Sequence, residues 1–468
     1  MLKIFNTLSK SKEIFSPINK KQVKIYVCGI TPYKMCHIGH GRTFIIFDII
    51  IRYLKFLGYN VQYIRNITDI NDKIIQIAHK RDININDITK KIIKEISKDF
   101  YNLNILPPNV EPKVTDHIND IISMIKTLLD NKNAYIAKNG DIMFSIKKYL
   151  NYGILSKQKI DFLQLGKRIK NISFKKNCKD FILWKLVNKK TIGWISPWGY
   201  GRPGWHIECS AISNKYLGNF FDIHGGGSDL IFPHHENEIA QSYCANKSFS
   251  VNYWVHTGLI NINNKKMSKS LDNTIKLRNL LTKYNKEIIR YFFTATHYRS
   301  PIVYSENKLK QAQLAIQKLY TSMSYWNNNY LNTTIQNNFF SLEKKFYEAM
   351  DDDFNTPKAY NILFKISHNI NIAYHQKKYL IVNHLILKLK KLGNIIGILY
   401  FNPKNYFKDY GKFYNQYNEL EIDKLIKKRN IARKNKLWYE ADLIRNILNN
   451  KNIILEDRKN GTIWKRKN

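Results

Sequence analysis

The stretch Val23-Lys24-Ile25-Tyr26-Val27-Cys28, with the loop through Gly29, Pro32 and Gly39 and the apolar segment 42–57 that follow it, decides the fold. The first run is β-branched and aromatic and reads as a strand. In the segment after it the polar residues Asp48, Arg52 and Lys55 recur at i, i+4 and i+7, one stripe on an otherwise buried helix. Gly58 sits where a helix C-cap is expected, and residues 61–65 read as a second strand. Strand, helix and strand in this order predict a parallel pair joined by a right-handed crossover, a Rossmann-like opening to an α/β domain. Ligands of such sheets collect beyond the carboxyl ends of the strands, so residues 28–40 and 66–72 are expected at one rim.

Outward from this unit, residues 100–132 read as helical. Residues 135–184 alternate short apolar runs with turns and read as an insertion, and sheet signals resume at 220–224 and 252–257. From Lys308 onward nearly everything reads as helix, with Thr356-Pro357 as cap and first turn and Leu363, Ile366 and Ile370 on one face. Pro, Asn and aromatic residues at 401–411 suggest a boundary before a basic tail.

At 468 residues the chain is long enough for about three domains, and 44% hydrophobic with 24% charged residues excludes a disulfide scaffold or a wholly disordered chain. The longest apolar candidate, 44–57, is broken by Asp48, Arg52 and Lys55 and is no membrane span. The N-terminus lacks the serial features of an export signal, so a cytoplasmic location is expected. Five cysteines without framework spacing are then thiols or metal ligands. The formal net charge of +40 points to a polyanionic partner, although a Lys- and Asn-rich composition can also reflect genomic bias. Residues 424–468 hold 14 basic and 4 acidic residues, more than twice the average charge density, and are the strongest candidate for a nucleic-acid surface.

His37-Ile38-Gly39-His40 lies between the first strand and its helix, where phosphates meet helix amides; two imidazoles around a glycine suit a pentacoordinate phosphorus. Lys266-Met267-Ser268-Lys269-Ser270 offers two lysines that can clamp a triphosphate. Alone, the first is also readable as a loop with surface histidines and the second as a basic surface loop. His234 and Glu238 form an i, i+4 pair on one helix face, and with Cys28 and Cys209 at the same rim they make a donor set that suits Zn²⁺. For each cysteine alone the alternative is a small buried hydrophobe.

In this order and at this separation the two motifs resemble the HIGH and KMSKS signatures of class I aminoacyl-tRNA synthetases. The chain resembles the cysteinyl-tRNA synthetase family nearly end to end. The resemblance is carried by stretches such as Tyr26-Val27-Cys28-Gly29-Ile30-Thr31, Gly204-Trp205-His206-Ile207-Glu208-Cys209-Ser210, Phe232-Pro233-His234-His235-Glu236-Asn237-Glu238 and Asp351-Asp352-Asp353-Phe354-Asn355. It implies catalytic roles for His37, His40, Lys266 and Lys269, ATP contacts at Gly39, Gly225, Gly226, Gly227 and Lys269, and zinc at Cys28, Cys209, His234 and Glu238, taking the substrate sulfur as a further ligand. It places Thr68, Trp205 and Asp229 near the amino acid, and Arg433, Asp442 and Asp457 on anticodon bases, with Trp438 read as core. Asp351–Asp353 reads as a structural triplet complementing the dipole of the next helix.

The implied organisation is a Rossmann-like parallel-sheet catalytic domain (1–118 and 205–255) split by a connective insertion (119–204), then a stem-contact region with the KMSKS loop (256–307). A helical anticodon-side bundle (308–404) and a small basic anticodon-binding domain (405–468) complete it. The implied reaction is cysteine activation with ATP and Mg²⁺ and transfer to tRNA(Cys), by a monomer with no membrane partner. Thiolate ligation excludes serine without an editing site, whereas shape alone gives only about 1–3 kcal/mol. Two positions depart from the family, Asp272 where Gly is usual and Asn71 where Asp is common. The rival readings are a relative that joins cysteine to an amino-sugar and a non-catalytic zinc and RNA-binding protein.

Overall fold

The computed structural model describes residues 1–158, 174–262, 265–266, 274–329, 340–409, 419–450, 453–458 and 461–466. The chain divides into two compact units. The first comprises Met1–Leu277, Thr296–Tyr304 and Tyr347–Pro357, and the second Arg278–Ala295, Ser305–Phe346 and Lys358–Asn468.

The first unit opens with a hairpin of β1 (Lys3–Asn6) and β2 (Ser11–Ile14). It continues through β3 (Gln22–Ile30), α1 (Ile38–Phe56), β4 (Asn60–Ile67), α2 (Asp72–Arg81), α3 (Ile85–Asn102) and α4 (Ile118–Asp130). Strands β5 (Ala134–Ile136), β6 (Ile142–Phe144), β7 (Phe181–Leu186) and β8 (Gly201–Pro203) form an antiparallel sheet inside the span read as an insertion. Then come α5 (Trp205–Leu217), β9 (Phe221–Gly227), α6 (Glu236–Asn246), β10 (Val251–Thr257), β11 (Ile260–Ile262) and β12 (Lys265–Lys266). The central sheet has the order β10-β9-β3-β4 with every pairing parallel, as the opening motif predicts. Ile25, Tyr26 and Val27 are fully buried in it, because a parallel strand covered on both faces cannot alternate polar and apolar residues.

Between α3 and α4 the helix expected over 100–132 is broken. Pro107, Pro108 and Pro112 lack the amide a helix requires, and the segment runs beside β4 instead, with Val110 and Pro112 carbonyls accepting from the Arg65 and Ile67 amides. Asn71, one of the two departures, is the N-cap of α2 and accepts from the Lys73 amide, a task Asn performs as well as Asp. Asp353 is structural, as expected, but its carboxylate reaches across the unit rather than serving the next helix: it accepts from the Phe5 amide, the Tyr298 hydroxyl and Arg299 Nε.

The second unit carries α7 (Leu277–Leu281) from Arg278 on and α8 (Lys286–Thr294). After β13 (Ile302–Tyr304), which belongs to the first unit and pairs with β11, it continues with α9 (Glu306–Met323), α10 (Phe340–Asp351) as far as Phe346, α11 (Thr356–His375) from Lys358 on and α12 (Tyr379–Ile395). Leu363, Ile366 and Ile370 are buried on one face of α11. The stretch read as a boundary holds a further helix, α13 (Pro403–Asp409), whose first residue is a proline, tolerated there because its missing amide has no helical acceptor. After α14 (Glu419–Lys434) and α15 (Trp438–Asn450) the chain ends not in helix but in an antiparallel hairpin, β14 (Ile453–Arg458) and β15 (Gly461–Arg466), packed on Ile422, Ile426 and Leu448. Its alternation, Ile453 and Leu455 buried against the half-buried Ile454 and Glu456, is short and easily missed among lysines.

Candidate active site

Four side chains from separate elements meet at the C-terminal edge of the parallel sheet. Cys28 stands near the end of β3, Cys209 on α5, His234 in the turn before α6 and Glu238 in the first turn of that helix, and all four are buried. The sulfurs are 3.8 Å apart, Cys28 Sγ is 3.5 Å from Glu238 Oε1, and His234 Nε2 is 3.0 Å from that oxygen. Two thiolates held about 2.3 Å from a tetrahedral zinc stand about 3.8 Å apart, so the sulfur pair has the spacing such an ion requires. The charges compensate one another. The Cys28 thiol, donating to Cys209, lowers the latter's pKa to about 6 against the opposing effect of burial, and His234 adds to this. Burial alone would lower His234, but Glu238 and Cys209 push it up to about 10. Burial would raise Glu238, yet His224 and His234 hold it well below the usual carboxylate range.

A second layer fixes this cluster, and the sequence reading passed over it. His224 Nε2 lies 2.8 Å from Glu238 Oε2, and His235 Nε2 is 3.2 Å from Cys28 Sγ. From His235 the chain continues to His256 at 2.7 Å and on to the Thr7 hydroxyl at 2.8 Å. Cys28, His224, His235 and Glu238 also fall within ligating reach of one another, an overlapping set. The signal for these residues was the pairing of His224 with the glycine run and of His235 with His234; neither spacing is periodic on its own.

The His37 and His40 rings stack at 3.8 Å at the start of α1. His40 Nδ1 accepts the His37 amide at 3.2 Å, which leaves the proton of the neutral ring on Nε2. Burial lowers the pKa of both rings; the neighbouring His37 depresses His40 further, while Asp229 partly offsets the fall at His37. Both flanks of the lysine signature are tied to this segment. On one side the Ile38 amide donates to the Ile275 carbonyl and the Leu277 amide to Cys36. On the other, the buried Arg42 guanidinium donates to the carbonyls of Gly258, Leu259 and Ser300, holding the entry to β11, which pairs with Lys265-Lys266. Lys266 thus belongs to a strand anchored beside His37–Arg42, whereas Lys269 and Asp272 lie outside the described residues.

Thr68 is buried, its hydroxyl donating to Glu208, the neighbour of Cys209 in α5, at 3.1 Å. Trp205 is 43% exposed and stacks on His234 with centroids 4.4 Å apart, so its indole lies over one member of the buried cluster. Asp229 is exposed, on the His37 side of the rim. The steric demand on the glycine run is strongest at Gly225, where the neighbour is a buried ring, and weakest at Gly227, where it is the end of an exposed side chain. A Cβ on Gly225 would meet the Phe47 ring at 2.0 Å, one on Gly226 the Leu230 side chain at 2.9 Å, and one on Gly227 Asp229 Oδ1 at 2.4 Å. Gly39 is half-buried in the first turn of α1.

In the second unit Asp457 is gripped by Arg429 at 2.8 and 2.9 Å and by Arg433 at 2.5 Å, and these partners, with the Thr462 hydroxyl, hold its pKa below the usual range. Arg433 and Asp442 are exposed on α14 and α15. Trp438, read as core, is 59% exposed: it opens α15, and the small hydrophobic cluster beneath it is filled by Ile422, Ile426, Leu448, Ile453 and Leu455.

Comparison with known proteins identifies the family. Residues 14–314 match the catalytic domain of class I (C) tRNA synthetases, and residues 345–400 match the DALR domain. The cysteine–tRNA ligase of Buchnera aphidicola subsp. Acyrthosiphon pisum (strain Tuc7) is 53% identical over 466 residues, covering 100% of this chain and 99% of its own. That of Actinobacillus succinogenes is 48% identical over 468 residues, covering both chains fully. Among solved structures, methionyl-tRNA synthetase of Mycobacterium tuberculosis bound by methionyl-adenylate shares the fold, with a TM-score of 0.59 at 13% identity over 80% of this chain and 90% of its own. With a catalytic-domain match over more than half its length and relatives near 50% identity across all of it, the chain belongs to the cysteine–tRNA ligase family of class I aminoacyl-tRNA synthetases.

Proposed function

We propose that this chain activates cysteine with ATP to cysteinyl-adenylate and pyrophosphate, and transfers the cysteinyl group to the terminal ribose of tRNA(Cys). The observation that carries the reading is the buried Cys28, Cys209, His234 and Glu238 cluster at the same sheet rim as His37 and His40. These four residues would hold Zn²⁺, which favours a thiolate over a hydroxyl and so supplies selection of cysteine against serine. His224 and His235 are assigned to the supporting layer, beside Glu238 Oε2 and Cys28 Sγ, because the family resemblance gives the ligand positions to Cys28, Cys209, His234 and Glu238.

The cysteine carboxylate attacks the α-phosphorus, and pyrophosphate leaves. His40 presents its Nε2–H, and with His37 stabilises the pentacoordinate phosphorus as a hydrogen-bond donor rather than as a cation. Lys266 and Lys269 follow charge onto the leaving pyrophosphate, and Mg²⁺ brought in with ATP would neutralise phosphate charge. Gly39 lies where helix amides meet phosphate, and Gly225, Gly226 and Gly227 form the floor beneath adenosine. Thr68, Trp205 and Asp229 line the amino-acid site, the last holding the ammonium group. Arg433, Asp442 and Asp457 read the anticodon, within a division of roles that follows the boundaries read from the sequence. The enzyme acts as a cytoplasmic monomer; no helix of the described residues is long and apolar enough to cross a membrane.

The DALR domain, followed by a basic helical and hairpin region, favours this reading over an amino-sugar ligase, which has no use for an anticodon module. Exchange of labelled pyrophosphate into ATP tests it: cysteine should drive exchange and serine should not. A chain that binds zinc and tRNA but shows no cysteine-dependent exchange is a binding protein instead.

A further inference from the structure

A carboxylate buried next to a metal-ligand cysteine requires a reason, and Glu208 has one in its partners. The Thr68 hydroxyl donates to Glu208 Oε2 at 3.1 Å and accepts from Asn66 Nδ2 at 3.2 Å. Asn66 in turn is fixed by its own carbonyl oxygen, which accepts the Gly29 amide at 2.8 Å and lies 3.8 Å from Cys209 Sγ. Thr68 cannot shift as a whole, since its amide donates to the Ile30 carbonyl at 3.0 Å. Asn66, Thr68 and Glu208 are 1%, 3% and 2% exposed, so water does not compete for these bonds.

A hydroxyl has one proton and two lone pairs. Here the proton is committed to Glu208 and one lone pair to Asn66, which leaves a single free valence that can only accept. An acceptor bonded to Asn66, whose Oδ1 lies 3.8 Å from Cys209 Sγ, suits the ammonium group of an amino acid and repels its carboxylate. Were Glu208 absent, the hydroxyl could rotate and turn its proton toward that ammonium. We propose that Glu208 is a positioning residue for amino-acid binding, which by taking the only proton of Thr68 makes that hydroxyl an obligate acceptor for one of the three N–H groups of the substrate's α-ammonium, a second being left to Asp229. The role needs an acceptor oxygen at position 208 and no particular charge there. It rests on the reading that Thr68 lines the amino-acid site.

The test uses the full-length, zinc-loaded protein in cysteine-dependent pyrophosphate exchange. Glu208→Ala should raise the KM for cysteine at least tenfold while the KM for ATP, the kcat and the zinc content stay within about twofold. Glu208→Gln, which keeps an acceptor oxygen, should return the cysteine KM to within about threefold of the parent. Two competing ligands isolate the group concerned. Cysteamine, with thiol and ammonium, should bind Glu208→Ala at least tenfold more weakly than the parent, whereas 3-mercaptopropionate, which has no ammonium, should bind both equally.

Thr68→Val should match Glu208→Ala, and Thr68→Ser should match the parent. A normal cysteine KM in Thr68→Val would remove Thr68 from the amino-acid site and sink the reading beneath the proposal. A raised KM in Thr68→Val with a normal one in Glu208→Ala would overturn the role of Glu208 alone. So would a Glu208→Gln variant as impaired as Glu208→Ala, or equal weakening of both competitors. Should Glu208→Ala fail to fold, the Glu208→Gln and Thr68 variants decide the matter by the same KM values.

Discussion

Cys28 and Cys209, 181 residues apart in the chain, bring their sulfurs to 3.8 Å on opposite sides of a strand-helix contact. That spacing matches two ligands of one tetrahedral ion, and no disulfide joins them. Purified protein should therefore carry close to one zinc per chain by metal analysis. Cys28→Ala and Cys209→Ala should each lower it, and Cys209→Ser should also impair cysteine binding. Full zinc retention in both alanine variants would dismiss the site.

Gly225 faces Phe47 so closely that its α-carbon cannot carry a methyl group. Gly225→Ala should destabilise the first unit by roughly 1–3 kcal/mol, the usual cost of overpacking, as measured by urea denaturation. Phe47→Leu in the same chain should recover part of the loss. If Gly225→Ala is as stable as the parent, the helix is not pressed against β9 as described.

The parallel core was legible because it rests on local pattern: 23–28, 42–57 and 61–65 differ in periodicity, and Gly58 separates the last two. The clustering of Cys28, Cys209, His234 and Glu238 was legible in part, from the i, i+4 spacing of His234 and Glu238 and from the shared sheet rim; the structure places His234 in the turn before α6 rather than on that helix, a local bend that spacing does not specify. The His224, His235 and His256 layer stayed hidden because its geometry comes from strand register, where Tyr26 faces His224 and Trp254 pairs with His224 in turn. The broken helix after Asn102 was readable from three prolines and was missed; the terminal hairpin and the exposed Trp438 depend on packing within a small cluster that composition does not specify.

His256 is buried between His235 and Thr7, and burial, then the positive influence of His224 and Lys10, lowers its pKa to about 3. In the unfolded chain it titrates near 6.5. Above that pH neither state binds the proton, and stability is unaffected. As pH falls below 6.5 the unfolded state takes up a proton that the folded state refuses, so stability declines from there down to about pH 3. Between pH 6.5 and 5.5 this one group should cost about 1 kcal/mol in urea titrations. His256→Gln should flatten that part of the profile; an unchanged slope would show that His256 is protonated in the fold.

Arg429 and Arg433 both hold Asp457, yet only Arg433 is exposed. Arg433→Ala should narrow the gap in kcat/KM between cognate and anticodon-altered tRNA by about 1–3 kcal/mol, as expected for a lost base contact. Replacing Lys427 and Lys428 by neutral residues should instead weaken both tRNAs equally and reduce the salt dependence of binding. Equal weakening by Arg433→Ala would make that residue a phosphate contact.

Replacement of zinc by Co²⁺ tests most directly whether the substrate thiolate joins Cys28, Cys209, His234 and Glu238. Adding cysteine to the cobalt protein should increase the near-ultraviolet thiolate-to-cobalt charge-transfer absorption and perturb the visible bands, in proportion to active-site occupancy, while serine leaves both unchanged. A spectrum that does not respond to saturating cysteine, in protein that still performs cysteine-dependent exchange, would contradict the account.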